Sequence, residues 1–584
     1  MTALEPARPV QPVQPVQPVQ PVQPVQDDPP GSRDVHPRTT SPTRPHHPTR
    51  IPFPLVDEIS RHCLEDDEPE TVHIEVHLPG RLDHERLRTA FHQALARHPR
   101  VLMRQVPARW WHRHYTWQLT PAPDVDPVVF PPPGPDALAH ARARALTDCP
   151  PLDASPPVRL EVIEPAHAAP ADGRPPVAPS TGTVLLLTLH HTALDGPACL
   201  RILATAAELY AGSTGPAGST EPAGCTSPAR SANPNEPPAH PPRLPHSPHP
   251  PHPPHPPQPP GHSRPGLLTR PARLAPDHST PTTNPTTSNP TTSNPTTSTN
   301  GSGSGNGNGN GMLLTELPVP TRPPRPTGER PPYTVYTVND QLLVATYLMA
   351  ARWNQLHDRP AAPVVITMPI DDRPRGPHMP IGNGTRLAAV PFPPTTPPLA
   401  PHTGPGGAPH TTSAPTPLTR LLHRTSARTR ALKSTAPRSP LGLPAAVLTS
   451  LPLPVGPRRA LTRALRSLAA AWTPTTLLSN IGRVPYPLDF GETGGRATAV
   501  WFSAPARMPR GLSITTAATC DGDRIHLALR WSRALLDEAA ASRLLDLFRS
   551  SLAATAWPPA ATAWPPGSAP APGPVPSAEE GGAP

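Results

Sequence analysis

The residues best suited to chemistry lie in one short run, His190-His191-Thr192-Ala193-Leu194-Asp195-Gly196. An imidazole in such a run can take a proton from an attacking amine or hydroxyl, because its pKa lies near working pH. The alternative is a pair of histidines whose rings are satisfied by local hydrogen bonds. The HHxxxDG run is therefore the first candidate for a general base in this chain.

The elements around the run must position it. Val184–Leu189 is short and nearly all apolar, which is typical of a strand buried on both faces. Pro197 suits the first turn of a helix that we expect to end near Gly212. The run thus follows a strand end, which fixes a side chain, and lies in a loop, which leaves that side chain open to a substrate.

Alternating and helical patterns appear on both sides of a Pro-rich middle. Thr71–Leu78 alternates as a half-buried strand, and Asp83 is a plausible N-cap for a following helix. In the second half, Asn339 could cap a helix and Ile525–Trp531 alternates as a strand. A last helix carries Leu544–Leu552. These patterns predict an α/β (α+β) fold made of two lobes.

Proline decides how the rest of the chain is organised. Of 584 residues, 104 are Pro and 37 are Gly, and only 35% are hydrophobic, which excludes one uniform compact fold. The prolines concentrate in a few segments, and the sequence between them can fold. We predict a disordered Pro-Val-Gln-rich arm (1–47), an N-terminal lobe (48–212), a disordered linker rich in Pro, His, Thr and Gly (213–330), a C-terminal lobe (331–557) with a Pro-rich loop (391–417), and a disordered tail (558–584).

Cysteine usage and hydropathy bear on the compartment. The five cysteines are scattered without CxxC spacing, which argues against a disulfide framework and against a metal site. No apolar run reaches the roughly 18 residues of a membrane-spanning helix. The N-terminus lacks the apolar core of a signal peptide. We therefore expect a cytoplasmic protein with no transmembrane segment.

The positive charge is concentrated in one stretch. The net charge is +9, and the stretch from Arg373 to Leu488 has fourteen Lys and Arg residues but no Asp or Glu. Such a stretch is either a solvated basic surface or a face for an anionic partner. Its arginines are not interleaved with aromatic residues and no nucleic-acid motif is present, so we expect no nucleic-acid partner.

The HHxxxDG run resembles the signature of the condensation-domain and chloramphenicol-acetyltransferase-like acyltransferases. Shorter segments agree with that family in the right order: Arg97-His98-Pro99, Val338-Asn339-Asp340, Ile370-Asp371-Asp372-Arg373, Gly382-Asn383 and Ser479-Asn480-Ile481-Gly482. Pro54–Glu58 looks like the start of the polyketide-associated acyltransferases. The resemblance covers 48–212 and 331–555. It implies two chloramphenicol-acetyltransferase-like lobes that form a pseudo-dimer, with the active site in a channel between them.

The resemblance also implies roles for individual residues. His191 would be the catalytic histidine, acting as general base or positioning the nucleophile at an acyl thioester carbonyl, and His190 would be structural. Asp195 would form a structural ion pair between the lobes, with Arg373 as its candidate partner. Gly196 would leave room for the substrate and offer its N–H to the developing oxyanion. Two further residues are weaker candidates for lining the channel: Asn383 and Ser479.

Neither an adenylation motif nor a carrier-protein serine motif is present. The resemblance therefore implies a stand-alone transferase with no bound cofactor. Its co-substrate would be a phosphopantetheine or CoA thioester, delivered by a separate acyl or peptidyl carrier protein or by CoA itself. Because such donors are anionic, we hypothesise that a cluster of arginines in the basic stretch helps to dock them: Arg458, Arg459, Arg463 and Arg466.

The predicted function is acyl transfer from a thioester to an amine or hydroxyl of a small molecule. The product would be an amide or an ester in secondary-metabolite or complex-lipid biosynthesis. The alternative is a catalytically silent condensation-like domain that recruits carrier proteins or partner enzymes, and an intact HHxxxDG run argues against it. A third alternative is a scaffold or metal-binding protein built on the Pro/His tract (236–262).

Overall fold

The structure is a computed structural model, and its described residues belong to one compact unit. They are 49–64, 68–164, 182–212, 270–278, 309–323, 335–374, 376, 378–394, 416–434, 453–520 and 522–557. The predicted arm (1–47), the tail (558–584) and the Pro/His tract lie outside the described residues.

The described chain contains strands and helices in mixed order. The strands are β1 (Arg50–Pro52), β2 (Thr71–His77), β3 (Met103–Gln105), β4 (Thr116–Leu119), β5 (Val128–Val129), β6 (Val158–Ile163), β7 (Val184–His190), β8 (Asn310–Pro318), β9 (Val364–Asp371), β10 (Thr385–Phe392), β11 (Thr476–Arg483), β12 (Ala499–Ser503), β13 (Leu512–Ala518) and β14 (Arg524–Ser532). The helices are α1 (Leu55–His62), α2 (His84–Arg97), α3 (Ala137–Thr147), α4 (Gly196–Gly212), α5 (Val338–Leu356), α6 (Pro417–Ser434), α7 (Val455–Leu468), α8 (Gly491–Gly494) and α9 (Glu538–Ala554). The predicted α/β class is confirmed.

The N-terminal lobe is built on a five-stranded sheet in the order β12-β2-β7-β6-β5. Strand β7 is buried along its whole length, as its apolar run predicts. Helix α2 begins where the side chain of Asp83 accepts a hydrogen bond from the Arg86 N–H, so the predicted N-cap is confirmed. Helices α2 and α4 pack on each other, and α4 packs on β2. Helix α3 packs on β7, the strand that carries the HHxxxDG run at its end.

Strand β2 differs from its prediction, because nearly all of it is buried rather than one face alone. Its Glu75 is fully buried and accepts hydrogen bonds from the Arg142 guanidinium of α3 and from His77. Burial raises the pKa of Glu75, but the hydrogen bonds and charges of Arg142 and His77 outweigh it and lower the pKa to about 2. Because Arg142 satisfies the charge of Glu75, this polar residue can lie in the interior. The alternating sequence pattern therefore does not mean that one face of β2 is exposed.

The C-terminal lobe is built on a six-stranded sheet in the order β10-β9-β11-β13-β14-β8. Helices α5 and α9 pack against each other beside this sheet, and their apolar side chains share one core with it. Thr337, not the predicted Asn339, caps α5: its hydroxyl accepts from the Asp340 N–H, and the Asp340 side chain accepts in return from the Thr337 N–H. The Asn339 amide instead donates to the sulfur of Met368 and accepts from the Asn480 amide.

The predicted linker (213–330) is wrong for two of its segments. Strand β8 is an edge strand of the six-stranded sheet and pairs with β14 along nine residues, from Asn310 opposite Ser532 to Pro318 opposite Arg524. The segment 270–278 packs on α5, where the Trp353 indole donates to the Ala275 carbonyl. Pairing with distant strands and helices orders these segments, and the composition of the neighbouring sequence does not reveal it. The rest of the predicted linker lies outside the described residues.

Strand β12 joins the two lobes. It comes from the second half of the chain but pairs with β2 of the N-terminal sheet, from Ala499 opposite His77 to Ser503 opposite His73. Its side chains alternate: Val500 and Phe502 enter the N-terminal core, whereas Ala499 and Trp501 pack in a small cluster with residues of the C-terminal sheet. The predicted boundary, which assigns all of 331–557 to the C-terminal lobe, is therefore wrong for this strand.

Candidate functional site

The HHxxxDG run lies between β7 and α4. Strand β7 ends at His190, residues 191–193 form a turn, and α4 begins at Gly196. The His191 N–H donates to the Glu70 carbonyl at 2.8 Å, which fixes the backbone just beyond the strand. The sequence therefore predicts correctly that the run connects a buried strand to a helix.

The ring of His191 is half-buried and oriented by one contact. Its Nδ1 lies 3.1 Å from the carbonyl oxygen of Leu194. A carbonyl can only accept, so Nδ1 donates to it, and in the neutral form of the ring Nε2 then carries the lone pair. His191 also lines a cavity formed by the described residues. The arrangement can accept a proton from a group bound in that cavity.

His190 has a different environment. Its ring is buried, and its Nδ1 accepts a hydrogen bond from the Thr192 N–H at 3.2 Å. Burial lowers the pKa of His190 to about 4, so the ring is neutral at physiological pH. His190 does not line the cavity and instead supports the turn of the run.

The carboxylate of Asp195 is buried and fully engaged. The Nη2 atom of Arg373 donates to both of its oxygens, at 2.9 and 2.7 Å. The Gly384 N–H donates to it at 2.9 Å, and the Ala198 N–H donates at 3.1 Å, which makes Asp195 a cap of α4. Arg373 also donates to Asp371 and to the Gly382 carbonyl. This pair joins the start of α4 in one lobe to the end of β9 in the other.

Asn383 connects the HHxxxDG turn to α1. Its Nδ2 donates to the carbonyls of Thr192, at 2.9 Å, and His191, at 3.2 Å, and to Asp57 Oδ1, at 2.9 Å. Asn383 is not among the residues that line the cavity, and its predicted channel role stays a prediction. Its amide N–H groups satisfy these three acceptors and hold the turn against α1.

The cavity measures about 420 Å³ and is lined by residues of both halves of the chain. Among the polar ones, Ser479 was predicted, whereas Asn339 and Asn480 were recognised only as parts of motifs. The apolar lining includes Leu200, Met368, Ile370, Leu477, Ile481, Tyr486 and Phe502. A small set of polar groups in a mainly apolar cleft is typical of a small-molecule site.

Gly196 lines the cavity and packs tightly against β12. A Cβ atom at this position would lie 2.0 Å from Cε2 of Phe502, so no larger residue fits unless the ring moves. The glycine therefore lets a side chain of the second half of the chain approach the first turn of α4. Its predicted contribution to an oxyanion site stays a prediction.

We expect Gly196→Ala to destabilise the protein by about 1–3 kcal/mol, the usual cost of forcing extra volume into a packed site. The displaced Phe502 ring should also lower the rate of any reaction in the cavity. Chemical denaturation, monitored by circular dichroism, measures the first effect. Gly212→Ala is the matched control, because a Cβ at the other end of the same helix meets no described atom within 4 Å. Equal stability of the two variants would contradict the prediction.

Asp57 was not predicted as a functional residue. It lies in α1, is buried, and accepts hydrogen bonds from the Trp117 indole at 2.9 Å and from Asn383. Burial raises the pKa of Asp57 to about 6, although the hydrogen bonds from Asn383 and Trp117 oppose this shift. The only sequence signal was the resemblance of the segment around it, because its partners are distant in the chain.

The raised pKa of Asp57 gives a pH-dependent prediction. The folded protein binds a proton that the unfolded chain releases, so Asp57 lowers stability as the pH rises from about 4 to about 6. In Asp57→Asn this contribution is absent. The difference between the denaturation midpoints of wild type and variant should change across this window and be constant above it. The buried His73 and His190 titrate equally in both proteins and cancel.

The exposed Asp546 offers the control for this experiment. Asp546→Asn should give a pH profile parallel to that of wild type. A parallel profile for Asp57→Asn as well would show that Asp57 has no raised pKa.

The docking hypothesis for the arginines of α7 is wrong for Arg458. Its side chain is buried and forms an ion pair with Glu58 of α1 at 3.1 Å. Arg463 donates to the carbonyls of His62 and Leu64, and Arg466 donates to those of Cys63 and Met508. These hydrogen bonds attach α7 to the end of α1. The guanidinium groups therefore donate to backbone carbonyls, which are the same kind of acceptor that an anionic donor would offer. The predicted docking role of Arg459 stays a prediction.

The described residues were also compared with the expectations for metal sites, cysteines and membrane-spanning helices. No group of three His, Cys, Asp or Glu side chains there could hold a metal ion. Cys63, Cys149 and Cys199 are free thiols, whereas Cys520 is disulfide-bonded, which the scattered cysteine pattern does not predict. None of the described helices has the length and apolar character needed to cross a bilayer.

Comparison with known proteins gives relatives in sequence and in structure. No family model matches the sequence. Two curated Mycobacterium tuberculosis proteins, "Uncharacterized protein MT2362" and "Uncharacterized protein Rv2305", are each 24% identical to it over 311 residues. The alignment covers 52% of this chain and 58% of each relative, so the chain matches little more than half of their length.

Several solved structures are similar over most of the chain. The starter condensation domain of rhizomide synthetase RzmA is 12% identical, with a TM-score of 0.44, and the match covers 87% of this chain and 96% of that one. A variant of that domain was solved in complex with C8-CoA. The epimerization domain of tyrocidine synthetase TycB3 is 13% identical, with a TM-score of 0.47 and coverage of 87% and 96%. The condensation domain of the polyketide synthase MokA is 11% identical, with a TM-score of 0.47 and coverage of 86% and 97%. The solved structures that this chain resembles include condensation domains.

Proposed function

We propose that the protein is an acyltransferase of the condensation type, which transfers an acyl group from a thioester to an amine or hydroxyl. The observation that carries the proposal is the His191 ring: it lines a cavity between the lobes, and its Nδ1 is occupied by the Leu194 carbonyl. Nε2 is then the nitrogen that can accept a proton. An imidazole whose ring is held in one orientation at a substrate cavity is what general base catalysis requires.

In the proposed reaction the acceptor nitrogen or oxygen attacks the thioester carbonyl carbon. Nε2 of His191 takes the proton that the acceptor loses as the new C–N or C–O bond forms. The tetrahedral adduct then collapses, the C–S bond breaks, and the proton passes to the leaving sulfur. An amide or ester and a free thiol result, so protons and electrons balance without a further reactant.

The cavity supports an acyl substrate. Its volume of about 420 Å³ and its apolar wall suit an acyl chain and the thioester end of a donor. The donor would be a CoA thioester or an acyl or peptidyl carrier protein, whose bulk lies outside the cavity. The acceptor would be a small amine or alcohol.

The test is a transfer assay followed by mass spectrometry. The purified full-length protein is incubated with acyl-CoA or acyl-carrier donors of graded chain length, together with amine and alcohol acceptors. Intact-mass measurement of the carrier and detection of the product report transfer. The expected result is acceptor-dependent loss of the acyl group, absent in His191→Ala. Donor binding without transfer in all combinations would favour a recruitment domain and contradict the proposal.

A further inference from the structure

Lys433 is the only lysine in the chain, and it lines the same cavity as His191. It lies near the end of α6, and its side chain is exposed. Among the residues that the structure describes, no carboxylate lies within ion-pair distance of its ammonium group. An ammonium group at a cavity wall without a counterion is a compact positive charge available to a bound anion.

The carboxylates at the cavity already have partners. Asp195 and Asp371 share the Arg373 guanidinium, and Asp372 pairs with Arg386. Apart from His191, the other described polar side chains that line the cavity belong to Asn, Ser, Thr and Tyr, and Asn480 donates to Asn339 within it. Lys433 is thus the one lysine or arginine among the described lining residues.

The backbone beside Lys433 is held in place. Arg386 of β10 donates to the Leu432 carbonyl at 2.9 Å and pairs at the same time with Asp372, which follows β9. The end of α6 is therefore tied to the strands that form the cavity wall. Fixing the backbone from which the Lys433 side chain extends lowers part of the entropic cost of binding a ligand there.

We propose that Lys433 binds an anionic group, a phosphate or a carboxylate, on a substrate that occupies the cavity. The inference rests on the proposed function for the identity of the substrate. Two sources share this chemistry: the phosphate of a phosphopantetheine donor, and a carboxylate on the acceptor. The contact is a charge-assisted hydrogen bond from Nζ to the anion.

The first test does not need turnover. Because the chain has one lysine, an amine-acetylating reagent modifies only Lys433 and the terminal amine, which serves as an internal reference. Peptide mass spectrometry gives the acetylation rate of each with 4′-phosphopantetheine or pantetheine, and with a free amino acid or its amide. Protection of Lys433 by the phosphorylated probe alone assigns a donor phosphate, and protection by the amino acid alone assigns an acceptor carboxylate. If no probe protects Lys433 relative to the terminal amine, the proposal is overturned.

The second test separates binding from chemistry. Lys433→Gln should raise KM about tenfold for the substrate that carries the anion, which is the effect of losing one charge-assisted hydrogen bond, and leave kcat little changed. For a donor phosphate, the rise appears with a CoA thioester but not with an N-acetylcysteamine thioester, which lacks phosphate. For an acceptor carboxylate, it appears with the acid but not with its amide. Lys433→Arg should restore much of the binding.

Arg424→Gln is the matched control, since it removes one positive charge from an exposed position of α6 that does not line the cavity. Equal KM values in Lys433→Gln and Arg424→Gln for every substrate would contradict the proposal. Should no combination be turned over, the acetylation experiment still decides the role of Lys433, so the two proposals fail separately.

Discussion

His191→Ala is expected to lower kcat by about 10²–10⁴-fold, the usual contribution of a general base. The substitution removes the nitrogen that takes the acceptor proton, but it deletes only one hydrogen bond, that from Nδ1 to the Leu194 carbonyl. KM for the donor should therefore change little, and the denaturation midpoint should stay near that of wild type. Steady-state kinetics and chemical denaturation of the same preparation measure the two effects.

His191→Asn is the sharper companion variant. Its amide N–H can still donate to the Leu194 carbonyl, as Nδ1 does, but it offers no basic nitrogen to the cavity. It should be as inactive as His191→Ala while keeping the local hydrogen bond. If His191→Asn retained most of the activity, His191 would only orient the substrate and general base catalysis would be ruled out.

Arg373→Ala is expected to destabilise the protein by about 3–5 kcal/mol, the cost of leaving a buried charge without its partner. The substitution leaves two carboxylates without their ion-pair partner, since Asp195 and Asp371 both accept from this guanidinium. Asp195→Ala should cost less, because Arg373 then keeps Asp371. The double variant should be less destabilised than the sum of the two single variants, since the second substitution removes a charge that is already unpaired.

Denaturant titration of the four proteins measures this order. The exposed pair of Arg549 and Asp546 provides the control: Asp546→Ala should change stability by less than about 1 kcal/mol, as for most surface ion pairs. An Arg373→Ala variant as stable as Asp546→Ala would show that the pair does not hold the two lobes together.

The sequence predicts the site better than the boundaries of the lobes. The HHxxxDG run and the buried strand before it are local patterns, and both are found where they were expected. Strand β8 was hidden within a predicted linker, because its pairing partner β14 lies about 200 residues further along the chain.

Charge patterns alone also misled. A cluster of arginines looks the same whether it faces solvent or is bound to carbonyls and carboxylates, and Arg458 turned out to be buried. The sequence gives only a weak indication for Asn383 and none for Asp57. The two residues are 326 positions apart in the chain, and their hydrogen bond forms only in the folded protein. Such contacts follow from the packing of the two lobes, and a single sequence does not display them.

The crossing of β12 has a consequence for anyone who would divide this protein. An N-terminal fragment cut within residues 213–269 would lack β12, so the edge of β2 would be bare and open to aggregation. The fragment would also lack Phe502 of β12, which packs against Gly196. The two fragments should therefore become soluble and functional only when they are produced together, as in a split-protein complementation. A chimera that exchanges whole halves with a related protein would exchange β12 as well, and with it part of the cavity wall.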